Sequence, residues 1–285
     1  MGEGATIQVS DGRMLGLHEF GDPDGAAVVN CHGGLLSGLD VAPFDAAARR
    51  LGLRIVSPDR PGLGASSPRP GRTTGDWAAD VRALLDALEI PSAAVLGWSM
   101  GGQYALACAA LLPDRVRTTT VIAGCLPLDD AATFGELNPI DRRFTRLSQH
   151  HPHVAAETFR SLGEIARHAP DAWAQLTLRG AVPGEASAVV GLPDDGIAAA
   201  AAAALEGGDG MVEEYRAWVR PWGFAPGEIQ GPVTLWQGDQ DTLVPPAWAE
   251  RLADELPHGH LKKVAGAGHF LGYSHTARVL KGLVP

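Results

Sequence analysis

The sequence predicts an α/β protein built on a mostly parallel sheet, and three observations carry that prediction. Short apolar runs alternate with amphipathic stretches along the chain. Most of those runs are apolar throughout, the pattern of parallel strands buried on both faces. The alternation stops over one internal segment and then resumes, which reads as a single sheet interrupted by an insert.

The chain opens differently from the rest. "TIQVSDGRMLGLHEFGDPDG" holds two alternating segments around Asp11-Gly12 and a turn from Asp22 to Gly25, as an N-terminal antiparallel hairpin would. Strands are then expected at "AAVVNC" (26–31), "LRIVS" (53–57), "AAVLGW" (93–98), "TTTVIAG" (118–124), "PVTLWQG" (232–238) and "LKKVAG" (261–266). Amphipathic helices are expected between them, over residues 44–51, 77–88, 101–112, 248–256 and 276–283. From 126 to 228 come helical candidates punctuated by Pro139, Pro152, Pro170, Pro183 and Pro193, with no convincing strand. The alanine run from Ala198 to Ala204 reads as plain helix. Residues 1–125 and 229–285 therefore form one core domain, and 126–228 a helical cap over the crevice where such sheets bind ligands.

Composition bounds the partners. A net charge of −10 without a basic block argues against nucleic acid or an anionic membrane surface. A small-molecule substrate is the expected partner, and the protein is expected to be a monomer or homodimer. No apolar run approaches the roughly 20 residues that span a bilayer, and Met1 to Gly12 lacks the regions of a secretory signal, so a cytoplasmic protein is expected. "MGEGAT" fits a loose acylation pattern at Gly2, but with no second anchor beside it the match reads as coincidence. Cys31, Cys108 and Cys125 lack metal or disulfide spacing and sit in apolar runs, as reduced buried thiols do. "HHPH" (150–153), with Glu157 one turn on, reads as solvated surface; no metal and no cofactor are expected.

The chemistry centres on "VLGWSMGGQYAL" (95–106), where apolar strand, glycine-flanked serine and helix formers follow in order. A serine hydroxyl needs exposure, a base within reach and donors for an oxyanion. Gly97 and Gly101 permit the sharp turn that exposes Ser99, and Met100 at the helix start can aim its N–H at a carbonyl oxygen. "NCHGGLLSG" offers a second amide, at Gly34 or else Leu35, while His32 reads as a residue ordering that loop. "VAGAGHFLGY" places His269 on a loop after the last strand, as the base. "WQGDQDTLVPP" offers Asp241 to orient the imidazole, with Asp239 read as a turn residue bonding its own backbone.

With "HGG" at 32–34, "DRPGLGASS" at 59–67, "GWSMGG" at 97–102, "GDQDTLVP" at 238–245 and "GAGHF" at 266–270 in order, the chain resembles the α/β-hydrolase superfamily over nearly its whole length. It looks like the cap-bearing branch that contains esterases, lactonases, carbon–carbon bond hydrolases and proline iminopeptidases. The resemblance implies a nucleophile at Ser99, base at His269, acid at Asp241 and oxyanion amides at Gly34 and Met100. Asp59 and Arg60 brace the loop after strand 53–57. Iminopeptidases of this type continue "HGG" with Pro-Gly, where this chain has Leu35-Leu36, which favours an esterase. The expected activity is hydrolysis of a small, largely apolar carboxylic ester, thioester or lactone. Carbon–carbon hydrolysis or aminopeptidase action on the same triad, and a small-molecule receptor, are the alternatives. Leu35, Trp98, Phe144, Trp173, Trp218 and Phe270 are the substrate-binding candidates, with Phe134 and Trp222 further specificity candidates.

Overall fold

The computed structural model describes residues 5–179, 181–192 and 196–285. Gly2, on which the acylation pattern turns, and Pro193 lie outside the described residues. Among those described, eight strands form one sheet in the order β1-β2-β4-β3-β5-β6-β7-β8. They are β1 Ala5–Gln8, β2 Met14–Gly21, β3 Ala26–Cys31, β4 Leu53–Pro58, β5 Ala93–Trp98, β6 Val116–Ile122, β7 Val233–Gly238 and β8 Gly259–Val264. The opening hairpin forms as expected, and β2 runs antiparallel to both β1 and β4; the other pairings are parallel. All of β5 is buried, in keeping with its unbroken apolar run.

Helices α1 Asp45–Arg50, α2 Trp77–Ala87 and α3 Gly101–Leu111 connect the first parallel strands. Between β6 and β7 comes a helical insertion: α4 Ala131–Glu136, α5 Pro139–His150, α6 Pro152–His168, α7 Pro170–Thr177, α8 Pro183–Val190, α9 Gly196–Leu205 and α10 Asp209–Trp218. After β7 follow α11 Pro246–Glu255, α12 Leu271–Ser274 and α13 Thr276–Leu280. The prolines that punctuate the insertion open helices rather than end them. Pro139, Pro152, Pro170 and Pro183 sit in the first helical turn, where a missing N–H costs nothing. Asn138 completes the start of α5 by accepting from the Ile140 and Asp141 amides.

Two strands end earlier than their apolar runs. The β6 strand stops at Ile122 because Ala123 turns to a φ of 48°, and β8 stops at Val264 before Gly266 turns to 72°. Beyond the latter turn lies His269. The expected helix 44–51 forms as the short α1, and a 3-10 segment, Gly38–Phe44, leads directly into it.

The strand order places the crevice. From β3 the chain crosses first to β4 on one side and then, through α2, to β5 on the other, so connections diverge at the β3/β5 boundary. Loops leaving the carboxyl ends of such a pair frame a ligand site. The insertion is joined to the sheet beside that crevice: Glu214 of α10 bonds Arg60 at 2.9 Å and also pairs with Arg72, all three buried. The two guanidinium groups outweigh burial and hold the Glu214 carboxyl down at about 2.

Candidate active site

At the end of β5 the backbone of Ser99 adopts a φ of 54°, a conformation that costs a non-glycine residue about 1–2 kcal/mol. Hydrogen bonds on either side hold it there: the Ser99 amide donates to Ile122 O at 2.8 Å, and Gly102 N donates to Ser99 O at 2.9 Å. The glycines allow the strand and helix to close on each other. A Cβ on Gly97 would stand 2.6 Å from Gly101 O, and one on Gly101 only 2.0 Å from Cys31 O. The consequence is a half-buried serine at the tip of the turn, directly before α3.

The loop after β3 lies alongside. His32 Nε2 accepts from Arg60 N at 3.1 Å and its Nδ1 donates to Gly33 O at 3.0 Å, so the ring braces two loops, as its position suggested. Burial, helped by the Arg60 charge, pushes its pKa down to about 3 and keeps it neutral. The Gly33 amide is occupied by Asp40 Oδ2 at 2.9 Å. The amides of Gly34, Leu35 and Met100 find no acceptor among the described residues, and all three residues line one cavity. Leu35 has a φ of 58°, which kinks the loop beside Met100.

His269 is held from several directions. Its Nδ1 meets Asp241 Oδ2 at 3.0 Å, which leaves Nε2 as the free basic nitrogen. Asp241 is fixed in turn by Gln237 Nε2 at 3.1 Å and by the Leu243 and Val244 amides, each at 2.9 Å. Burial alone would raise the Asp241 pKa, but the imidazole and these donors bring it below the usual carboxylate value. Burial alone would lower the His269 pKa, and the facing carboxylate reverses that, so the imidazole is more basic than a free histidine. Trp98, the residue before Ser99, donates its indole N–H to His269 O at 3.0 Å and so ties the serine turn to the histidine loop.

Ser99 and His269 both line a cavity of about 310 Å³ between the sheet and the insertion. No hydrogen bond joins their side chains among the described residues. All six substrate-binding candidates line the same cavity: Leu35, Trp98 and Phe270 from the sheet side, and Phe144, Trp173 and Trp218 from the insertion. Phe134 and Trp222 do not; Trp222 packs against Phe224 instead, with ring centroids 5.4 Å apart. Asp239 bonds Gly266 N at 2.8 Å rather than its own backbone, bracing the turn that leads to His269. Asp59 and Arg60 brace their loop as expected: Asp59 accepts from Gly38 N at 2.7 Å and Arg60 bonds the carbonyls of His32 and Gly33.

Sequence reasoning missed three acids. Asp141 lines the cavity from α5, bonded by Tyr215 Oη at 2.7 Å and by Asn138. Burial raises its pKa despite those bonds. Glu185 of α8 reaches the histidine loop, and Glu214 of α10 pairs with the two arginines. In sequence each is merely an acid on a helix, with no local signal that it turns inward.

A profile of the α/β hydrolase fold matches residues 26–149, from β3 through the serine turn into the insertion. The chain has the α/β-hydrolase fold. It is similar to the non-heme chloroperoxidase of Streptomyces lividans, 34% identical over 125 residues; the match covers 43% of this chain and 45% of that protein, less than half of either length. It is also similar to the pimeloyl-[acyl-carrier protein] methyl ester esterase of Chromobacterium violaceum, 29% identical over 274 residues, covering 91% of this chain and 93% of that protein. Among solved structures, an esterase from Exiguobacterium antarcticum superposes with a TM-score of 0.74 at 19% identity, over 99% of this chain and 98% of that one. At that identity the likeness is one of fold. No described helix of this α/β-hydrolase-fold chain is long and apolar enough to cross a membrane.

Proposed function

We propose that the protein is a serine hydrolase of a small, largely apolar carboxylic ester, thioester or lactone. The observation that carries this reading is the Asp241–His269 pair opening onto the same cavity as the strained Ser99. Ser99 Oγ attacks the substrate carbonyl carbon while His269 Nε2 takes the hydroxyl proton. Asp241 stays ionised and stabilises the imidazolium. The negative charge on the former carbonyl oxygen is met by the Met100 amide, at the start of α3, and by the amide of Gly34 or Leu35. Collapse expels the alcohol, thiol or enol, which receives the proton from His269. Water, deprotonated by the same imidazole, then attacks the acyl-serine and releases the acid. The long-range similarity to an esterase supports this reading, and the helical insertion acts as the cap that excludes water during the reaction.

Asp141 favours a second reading. A carboxylate in a largely apolar cavity suits a substrate that carries an ammonium or other strong donor, as an aminopeptidase substrate does. One experiment separates these outcomes. Labelling by a fluorophosphonate is followed by turnover of p-nitrophenyl esters of increasing acyl length and of aminoacyl p-nitroanilides. Ester turnover that falls at least about a thousandfold in Ser99→Ala, with loss of labelling, is the expected result. Preference for the aminoacyl compounds selects the second reading, and a folded wild type that is never labelled sinks both.

A further inference from the structure

Glu185 is a buried acid beside the candidate base that the reaction above does not use. It sits in the first turn of α8, in the insertion, and is 2% exposed. Its carboxylate spans the two residues that flank His269: Oε1 accepts from Gly268 N at 2.6 Å, and Oε2 accepts from Phe270 N at 3.0 Å. The approach depends on glycine at 268, since a Cβ there would stand 2.9 Å from Glu185 Oε2. The helix α8 also packs against α12, which follows the histidine loop directly. Glu185 does not line the cavity, so it touches the loop from behind and not the substrate.

We propose that Glu185 is a positioning residue that couples the seating of the insertion to the orientation and basicity of His269. The geometry has two separable consequences. A two-pronged bond to both neighbouring amides fixes the backbone that carries the imidazole, and it can form only while α8 is seated on the loop. A negative charge behind the ring also favours the imidazolium, alongside the carboxylates of Asp241 and Asp141, while Cys125, Arg179 and Tyr215 are ionisable groups that line the same cavity as the ring. Without α8 in place the base loses its support, so the chemistry is linked to closure of the helical layer.

This inference rests on the hydrolase reading, but its test has one arm independent of it. Glu185→Gln removes the charge and replaces one acceptor with a donor that cannot bond an amide N–H. Glu185→Asp keeps the charge on a side chain too short to span both amides. In Glu185→Gln, with circular dichroism and a cooperative melt showing a folded protein, kcat is expected to fall about tenfold or more with KM within about twofold. The acid limb of kcat/KM and the His269 ring titration, followed by NMR, should both move about half a unit lower. In Glu185→Asp, kcat should fall while the titration stays near wild type. The NMR arm decides the electrostatic half even if wild type shows no hydrolysis, which would sink the hydrolase reading alone. A folded Glu185→Gln with an unmoved His269 titration overturns the proposal, as does a change confined to KM or to melting temperature. If Glu185→Gln does not fold, an unchanged kcat in Glu185→Asp overturns it.

Discussion

At the residue scale, the site is a set of groups whose ordinary properties are changed by their immediate partners. Asp241 is buried yet ionised because a cation-forming ring and three N–H donors surround it, and that charge makes His269 a stronger base than free histidine. In the proposed mechanism His269 accepts a proton only when neutral. Activity should therefore be full above the raised His269 value and fall as pH drops through it. In Asp241→Asn the charge is gone and an amide cannot hold the required tautomer, so kcat should fall by about 10⁴ and the acid limb of any residual activity should move to lower pH. A pH–rate profile for both proteins checks this; an acid limb that stays in place would break the link between Asp241 and the titration. The positive-φ turn at Ser99 and the loops that pair His269 with Asp241 were legible in sequence, because glycine spacing and strand order announce them. Asp141 and Glu185 were not, since nothing local distinguishes an acid that turns inward from one that faces water.

At the scale of elements, the contact between β5 and α3 is specified by glycine. Three glycines, Gly97, Gly101 and Gly102, each lie where a Cβ would collide with backbone or packed side chains of the adjoining strands and turn. Gly101→Ala would drive a methyl into the carbonyls of Cys31 and His32, at 2.0 and 2.5 Å, which cannot yield without moving β3. We expect a loss of about 3 kcal/mol or more, read as a lowered denaturation midpoint. Gly135→Ala, in α4 with nothing within 4 Å, should be neutral or gain about 0.5 kcal/mol. Equal midpoints for the two variants would contradict this account of the turn. Strand and helix positions were readable from apolar runs within about two residues, and the misplacements at β6 and β8 arise where a single residue takes a positive φ.

At the scale of the whole molecule, the sheet and the insertion are joined through buried charge. Arg60 and Arg72 come from the loop between β4 and α2, and Glu214 from α10, so removing the acid leaves two buried cations without their partner. Glu214→Gln should destabilise the protein by about 3–5 kcal/mol at neutral pH, measured by urea denaturation. The sign of its pH dependence follows from the depressed pKa. The stabilisation from Glu214 is complete above its unfolded value of 4.5 and is lost as pH falls toward about 2, so wild type and variant should converge over that window. His32 adds to acid sensitivity, because its stabilising effect is complete above 6.5 and lost as pH falls toward about 3. Asp40, raised to about 6 by burial, acts in the opposite direction between 3.8 and 6. A variant gap that persists unchanged below pH 4 would show that the pairing is not what Glu214 contributes.

What the sequence by itself determined was the α/β order, the helical insertion, the serine turn and the loops whose histidine and aspartate bond each other. Those features are written in local patterns: apolar runs, glycine spacing and prolines that open helices. What only the tertiary structure decided was which side chains of the insertion meet the sheet. The Phe144, Trp173 and Trp218 rings face the cavity while Trp222 does not, and Glu185 and Glu214 turn inward to amides and arginines far away in sequence. The reason is physical. A helix face is chosen by the surface it lands on, and that surface is assembled from strands and loops the local sequence does not contain.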